Sequence, residues 1–238
     1  KVDVTISEDR CGGLFLCPEP DLPSTGFIAS AFNQPVDSPP LREIARGARS
    51  AVLLVSDSTR AVPTADVLPS IVEELAQGGV AFDKIKAVVG TGVHRPATDD
   101  EIRVILGDTF WKRIVVENHT PYDENNLVFI GSTSLGTPIR VNKTVWGADL
   151  RIVIGKVEPH EFAGFSGGRK SVLPGISAED TIRINHSPKL LMSPSAIPGC
   201  LAGNPIHQDM LEAARLLGVH FCVNILTDTQ NRLIDLVC

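Results

Sequence analysis

The chain has 238 residues, which suits one large domain or one and a half average ones. Hydrophobic residues make up 43% but aromatics only 5%, so a core must be built mainly of Val, Ile, Leu and Ala. The formal net charge of -6 argues against nucleic acid or an anionic membrane as the main partner, and no apolar run is long enough to span a bilayer.

The five cysteines (Cys11, Cys17, Cys200, Cys222 and Cys238) are odd in number and form no Cys-x-x-Cys pair. They read as reduced thiols of a cytoplasmic protein, not as a disulfide framework or a zinc cluster. No secretory signal stands at the start. The first residue is Lys1, without an initiator Met, which leaves room for a removed leader.

Val2 to Ile6 alternates like a short strand. Residues 1–40 otherwise form an irregular lead-in, rich in Pro, Ser and Gly from Cys17 onward, with one short helix expected. From Leu41 the pattern becomes regular. Ala51 to Val55 reads as a buried strand, Asp66 to Gln77 as a helix closed by Gly78-Gly79, and Ile85 to Val89 as a second strand. Asp99 to Leu106 is helical and stopped by Gly107. Ile114 to Glu117 is a third strand. Leu127 to Gly131 and Thr137 to Asn142 suggest a hairpin with Gly136 in its turn. Leu150 to Ile154 is a further strand. Ser177-Ala178-Glu179-Asp180 resembles a capping box opening a helix through Ile184. Gln208 to Leu217 is an amphipathic helix, and Phe221 to Leu226 a final strand.

Strands alternating with helices imply an α/β fold: a mostly parallel sheet with helices on both faces, plus the β-hairpin. Ligands of such sheets bind beyond the carboxyl ends of the strands. Asp57 and Arg60 follow the first strand, Gly90-Thr91-Gly92-Val93-His94 the second, and Glu158-Pro159-His160 the Leu150–Ile154 strand. One rim therefore receives Asp, Arg, His and His.

The most informative run is His160-Glu161-Phe162-Ala163-Gly164-Phe165-Ser166-Gly167-Gly168-Arg169-Lys170-Ser171-Val172-Leu173-Pro174-Gly175. Glycine lets a backbone approach a ligand, lysine can carry a covalent adduct, and imidazole can move a proton or hold a metal. A phosphate-binding loop is nearly matched by Gly164 and Lys170-Ser171, but Arg169 replaces the second glycine. A zinc-protease helix fails because Gly164 stands where the second histidine belongs.

At these residues the chain resembles the nickel-pincer lactate racemase family, specifically its N-terminal domain. The matching pieces are Ser56-Asp57-Ser58-Thr59-Arg60, Gly90-Thr91-Gly92-Val93-His94-Arg95, the His160–Gly175 run and Ile184-Asn185-His186-Ser187-Pro188. Weaker support comes from Ser38-Pro39-Pro40-Leu41-Arg42-Glu43 and Gly203-Asn204-Pro205. The resemblance implies one N-terminal domain over residues 1–238, with the family's C-terminal lid domain absent, so that the chain alone is expected to be inactive.

The same resemblance implies racemisation or epimerisation of small-molecule 2-hydroxy acids. Its cofactor is nickel held by pyridinium-3,5-bisthiocarboxylic acid mononucleotide, joined through Lys170, with Gly167 and Gly168 in the cofactor loop. His186 would complete the nickel coordination. His94 and His160 would be the acid/base pair, Arg60 would hold the substrate, and Asp57 would support it. The residue chemistry agrees. Removing a hydroxyl proton while hydride leaves Cα avoids the very strong base that direct Cα deprotonation needs. Two histidines suit the proton transfers, and the arginine fork suits a carboxylate. Two other readings stay open: a non-catalytic cofactor-binding module, and a hydrolase with His94, His160 and His186 on zinc. His119, His207 and His220 read as structural or surface residues, and Lys143, Lys156 and Lys189 as solvated.

Overall fold

The computed structural model describes residues 26–238 together with Thr5, Ser7, Asp9, Gly12, Pro20 and Pro23. The strand expected over Val2 to Ile6 falls outside these residues except for Thr5, as do Cys11 and Cys17. The chain then runs through α1 (Phe27–Asn33), α2 (Leu41–Ile44), β1 (Ala51–Ser56), α3 (Thr64–Gln77), β2 (Ile85–Gly90), α4 (Asp99–Phe110) and β3 (Val115–Asn118). A hairpin follows, β4 (Leu127–Ser132) and β5 (Pro138–Asn142), then α5 (Lys143–Gly147) and β6 (Leu150–Lys156). Next come the two-residue strands β7 (Pro159–His160) and β8 (Gly164–Phe165), and the helices α6 (Glu179–Asn185), α7 (Pro188–Leu191) and α8 (Pro205–Leu217). Strands β9 (Phe221–Thr227) and β10 (Leu233–Val237) end it.

The central sheet has the order β10-β9-β6-β1-β2-β3, parallel except for β10. From β1 the chain builds outward to β2 and β3, then returns to the other side of β1 to add β6 and β9. That reversal leaves a crevice beyond the carboxyl ends of β1, β2 and β6. Register keeps those ends level, with Ser56 beside Gly90.

Both faces of the sheet are covered, which is why its strands are apolar runs and not alternating ones. Leu53, Val55, Val89, Ile152 and Ile154 face the layer that contains α1 to α4. Val52, Leu54, Val88 and Val153 face the hairpin, the turn at Val172-Leu173 and α8. Leu53 and Leu54 are both fully buried, so each strand residue serves one of two cores.

The expected α/β class is what forms, and the helix expected from Asp99 leaves helical geometry at Gly107, where φ is 73. Other expectations need correction. Ser177 does not open a capping box. Its hydroxyl donates to the Val172 carbonyl, and Ala178 caps α6 without a side-chain bond. The capping box that does form is Thr98 with Glu101, at the start of α4. The antiparallel edge strand β10 and the short helix α5 carry no distinct period in the sequence. Lys156 is not solvated: it is mostly buried and paired with Glu158 at 2.9 Å.

Candidate active site

Three strand ends and the C-terminus of α6 enclose a cavity of about 260 Å³. Asp57 and Arg60 reach it from the turn after β1, His94 from the loop after β2, and His160 and Lys170 from the segment after β6. His186, the C-cap of α6, closes the far side. The sequence-derived constellation therefore shares one cleft.

The loops are fixed to one another by main chain. Gly92 N–H donates to the Gly175 carbonyl at 2.9 Å, and a Cβ on Gly90 would stand 3.3 Å from Gly175 backbone atoms. His119 adds a buried stitch: its Nε2 lies 2.9 Å from the Ser177 carbonyl, while its own carbonyl accepts the Thr91 hydroxyl. Burial holds its imidazole below the ordinary value, so it stays neutral there.

On the β1–β2 side, His94 Nδ1 sits 2.8 Å from Asp57 Oδ2. Asp57 Oδ1 accepts from the Thr59 amide and hydroxyl. With both oxygens engaged, this carboxylate is fixed in place and orients His94. Nδ1–H donating to Asp57 leaves Nε2 of His94 as the basic nitrogen. Glu101 secures the two turns from outside: it accepts a bidentate pair from Arg95, the Thr98 amide and the Ser58 hydroxyl. These contacts hold its carboxyl well below the usual range. Arg60 is exposed, its amide donates to the Asp57 carbonyl, and its guanidinium makes no hydrogen bond or ion pair to the described residues, so it is available to an anion.

On the β6 side the charges are positive and largely unpaired. Lys170 Nζ lies 2.9 Å from His160 Nε2. Burial, then the Arg60 and Arg169 cations, push the Lys170 amine down to about 7. Burial, then Lys170 and Arg60, push His160 down to about 4. Arg169 donates only to the carbonyls of Ala163 and Phe165, and burial pushes it down to about 10. Among the described residues its buried Nε has no partner. Phe162 stands edge-on between His160 and His186, with ring centroids 4.7 and 5.0 Å away. His186 Nδ1 is 3.1 Å from the Ile182 carbonyl, so Nδ1–H is anchored and Nε2 is the free lone pair.

Gly167 and Gly168 have φ of 78 and 44. A Cβ on Gly167 would strike Val157 and Asn224, and one on Gly168 would press on Cys222 Sγ. Their side-chain positions thus face the β6–β9 surface behind the loop, while Gly167 also borders the cavity. Three working residues escaped sequence reasoning. Phe162 and Arg169 lay inside the quoted run without an assigned part. Asn204 N-caps α8 and donates to the carbonyls of Phe162 and Cys200, which accounts for the weaker Gly203-Asn204-Pro205 signal. Among the described residues, no three His, Cys, Asp or Glu side chains converge as a metal site, so the three-histidine hydrolase loses its geometry.

A family model described as the lactate racemase N-terminal domain matches residues 2–198. The chain belongs to that family. Lactate racemase of Lactiplantibacillus plantarum is 39% identical over 208 residues, covering 87% of this chain and 49% of that protein. Lactate racemase of Thermoanaerobacterium thermosaccharolyticum is 33% identical over 209 residues, covering 88% and 49%. The solved apoprotein of lactate racemase from that organism superposes with a TM-score of 0.85 at 32% identity, covering 89% of this chain and 50% of that one. A protein from Thermotoga maritima shares the fold, with a TM-score of 0.67 at 23% identity over 86% of this chain and 55% of that chain. The chain thus spans about half the length of the curated lactate racemases it matches. Among the described residues no helix is long and apolar enough to cross a membrane.

Proposed function

We propose that this chain is the cofactor-holding half of a racemase or epimerase of 2-hydroxy acids. The observation that carries the reading is the convergence of Lys170, His186, His160, His94 and Arg60 on one cleft at the strand-order reversal. A nickel-pincer mononucleotide suits what that cleft offers. Lys170 supplies an amine for covalent attachment, and His186 Nε2 a nitrogen ligand of a kind nickel accepts. Arg60 and Arg169 supply positive charge for an anionic guest. When bound, that group serves as the hydride acceptor and donor.

The chain's own residues do the rest. Arg60 binds the substrate carboxylate through its fork. His94 Nε2, with Nδ1–H fixed on Asp57, takes the hydroxyl proton of one enantiomer and returns it. His160 does so for the other, once attachment has consumed its amine partner. Asp57 acts through His94. Because His94 is nearly half exposed, at 45% of its side chain, a cover is needed to exclude water. We assign that cover, and further substrate contacts, to a C-terminal domain beyond this chain. A cytoplasmic setting accords with the reading, since thiols stay reduced there.

The test is intact mass after co-expression with the cofactor-building enzymes in nickel medium. The expected result is an adduct of mononucleotide size on Lys170, with nickel near one per chain, and no adduct on Lys170→Ala. An adduct that persists in Lys170→Ala would refute the assignment.

A further inference from the structure

The Lys170 side chain lacks the usual partner of a buried lysine. Lysines are seldom buried without an acid, yet no carboxylate lies within ion-pair distance of Nζ among the described residues. Among the described residues the one hydrogen-bond partner of Nζ is His160 Nε2 at 2.9 Å, and Nζ stands 5.5 Å from the centroid of the Phe162 ring. The charged and titratable groups that face it are Arg60 from the turn after β1, Glu161 and Arg169 from its own segment, and the two imidazoles of His160 and His186. Only Glu161 among them favours an ammonium.

The other ring nitrogen decides what His160 offers. The Ala163 amide points its N–H at His160 Nδ1, at 3.4 Å. A ring that accepts at Nδ1 carries its proton on Nε2 when neutral. Its Nε2–H then faces Lys170, where a free amine has a lone pair to accept it and an ammonium has none. In that tautomer the contact suits the uncharged amine, which burial and the Arg60 and Arg169 cations also favour.

We propose that in the unloaded chain His160 is a positioning residue that keeps Lys170 as a free-amine nucleophile, so that the chain acylates itself at Lys170 from a reactive carboxyl or thiocarboxyl carbon. In that step the Nζ lone pair forms a C–N bond to the acyl carbon and the bond from that carbon to its leaving group breaks. The amine proton departs with the leaving group, and no oxidant or reductant is needed. One imidazole would then serve the site twice, first for attachment and afterwards for substrate. The inference rests on the reading of Lys170 as the attachment residue.

The experiment uses the unloaded chain and p-nitrophenyl acetate, with acetylation of each lysine followed by peptide mass spectrometry across neutral pH. Lys170 should be acetylated faster than Lys84, Lys86, Lys143 and Lys189, with a rate that levels off just above neutrality. In His160→Gln, whose amide can also accept from an ammonium, the midpoint should rise. A rise of one unit lowers the free-amine fraction near pH 6 by about tenfold. His160→Phe, which keeps a buried ring but no donor, should move it the same way. Lys170 labelling no faster than the other lysines in the parent chain would overturn the proposal. So would an unchanged midpoint in both variants, provided they melt as the parent does. Fast labelling of Lys170 without an adduct after co-expression would instead remove the proposed function, and with it the self-acylation by a cofactor, and leave standing only the positioning of a free-amine Lys170 by His160.

Discussion

The two histidines assigned as bases sit in opposite electrostatic settings. His94 belongs to a region wired by carboxylates: Asp57 holds its ring, and Glu101 ties together the turns that carry it. His160 belongs to a buried, cation-rich region: burial first, then the nearby cations, hold His160 and Lys170 low, and Lys170, Arg60 and Arg169 have no carboxylate ion-pair partner among the described residues. A carboxylate-backed side is complete as it stands. Two buried cations without a carboxylate, Lys170 and Arg169, are costly by themselves and become favourable once an anion enters. The difference accords with the proposed roles, in which His94 serves substrate and Lys170 holds an anionic cofactor.

The largest expected effect breaks this comparison at its centre. In a full-length, cofactor-loaded enzyme, His94→Gln and His160→Gln should each lower racemisation by ~10²–10⁴-fold, the usual worth of a general acid or base. Each should spare, at least in part, single-turnover oxidation of the enantiomer served by the other. Equal losses with both enantiomers in both variants would end the two-base assignment. Asp57→Asn should follow His94→Gln in its enantiomer preference, because Asp57 acts through that ring.

A second test concerns the cationic side's scaffold. Gly164 has φ of 78, and a Cβ there would overlap the Cys200 carbonyl. Gly164→Ala should cost ~1–3 kcal/mol, the scale of one strained backbone position. Urea titration measures it. The same change at Gly136, also at positive φ but with open space around it, should cost less.

The contrast should also appear in acid. His160 is held at about 4 in the fold, below the ordinary 6.5, by burial and then by Lys170. Between those values the unfolded chain binds more protons than the folded one, so stability falls as pH falls through that window and levels off below it. His119, His186, His207 and His220 are held low as well, burial first, and act with the same sign. Melting curves from pH 7 to pH 4 should therefore slope downward, and His160→Gln should flatten the slope in part. A slope identical in parent and variant would count against the cation-rich description.

The smallest effect lies on the other side. Thr98 caps α4 in the box with Glu101. Thr98→Ala should cost ~1 kcal/mol, as lost N-caps do, read as a drop of a few degrees in Tm.

Much of this arrangement was legible in the residues. The runs Ala51–Val55 and Leu150–Ile154 are apolar at every or nearly every position, which only a sheet covered on both faces requires, and a parallel sheet fixes where its ligands bind. Asp57, His94 and His160 follow directly from strand ends. Other parts depend on distances that no period encodes. Ser177 has the residues of a helix opening, but tertiary contacts to Val172 and His119 claim its hydroxyl and carbonyl. Asp57 is expected at the site from its strand end, and the 2.8 Å approach of His94 to its carboxylate is a distance that the sequence does not encode. Lys156 looked solvated because its ion partner, two residues on, depends on the bend after β6. Strand β10 becomes a strand through its pairing with β9.

The meeting of Gly90, Gly92 and Gly175 has a consequence for how the cleft can change. Main chain touches main chain there, and an amide of one loop is spent on a carbonyl of the other. The two jaws therefore share a floor that no side-chain replacement can widen and no guest can pry apart without breaking that bond. Adaptation to bulkier or more polar guests has to be written at the open rim, above the floor, where Val93 and Arg60 stand in solvent. The site behaves as a vessel of fixed base and adjustable lip.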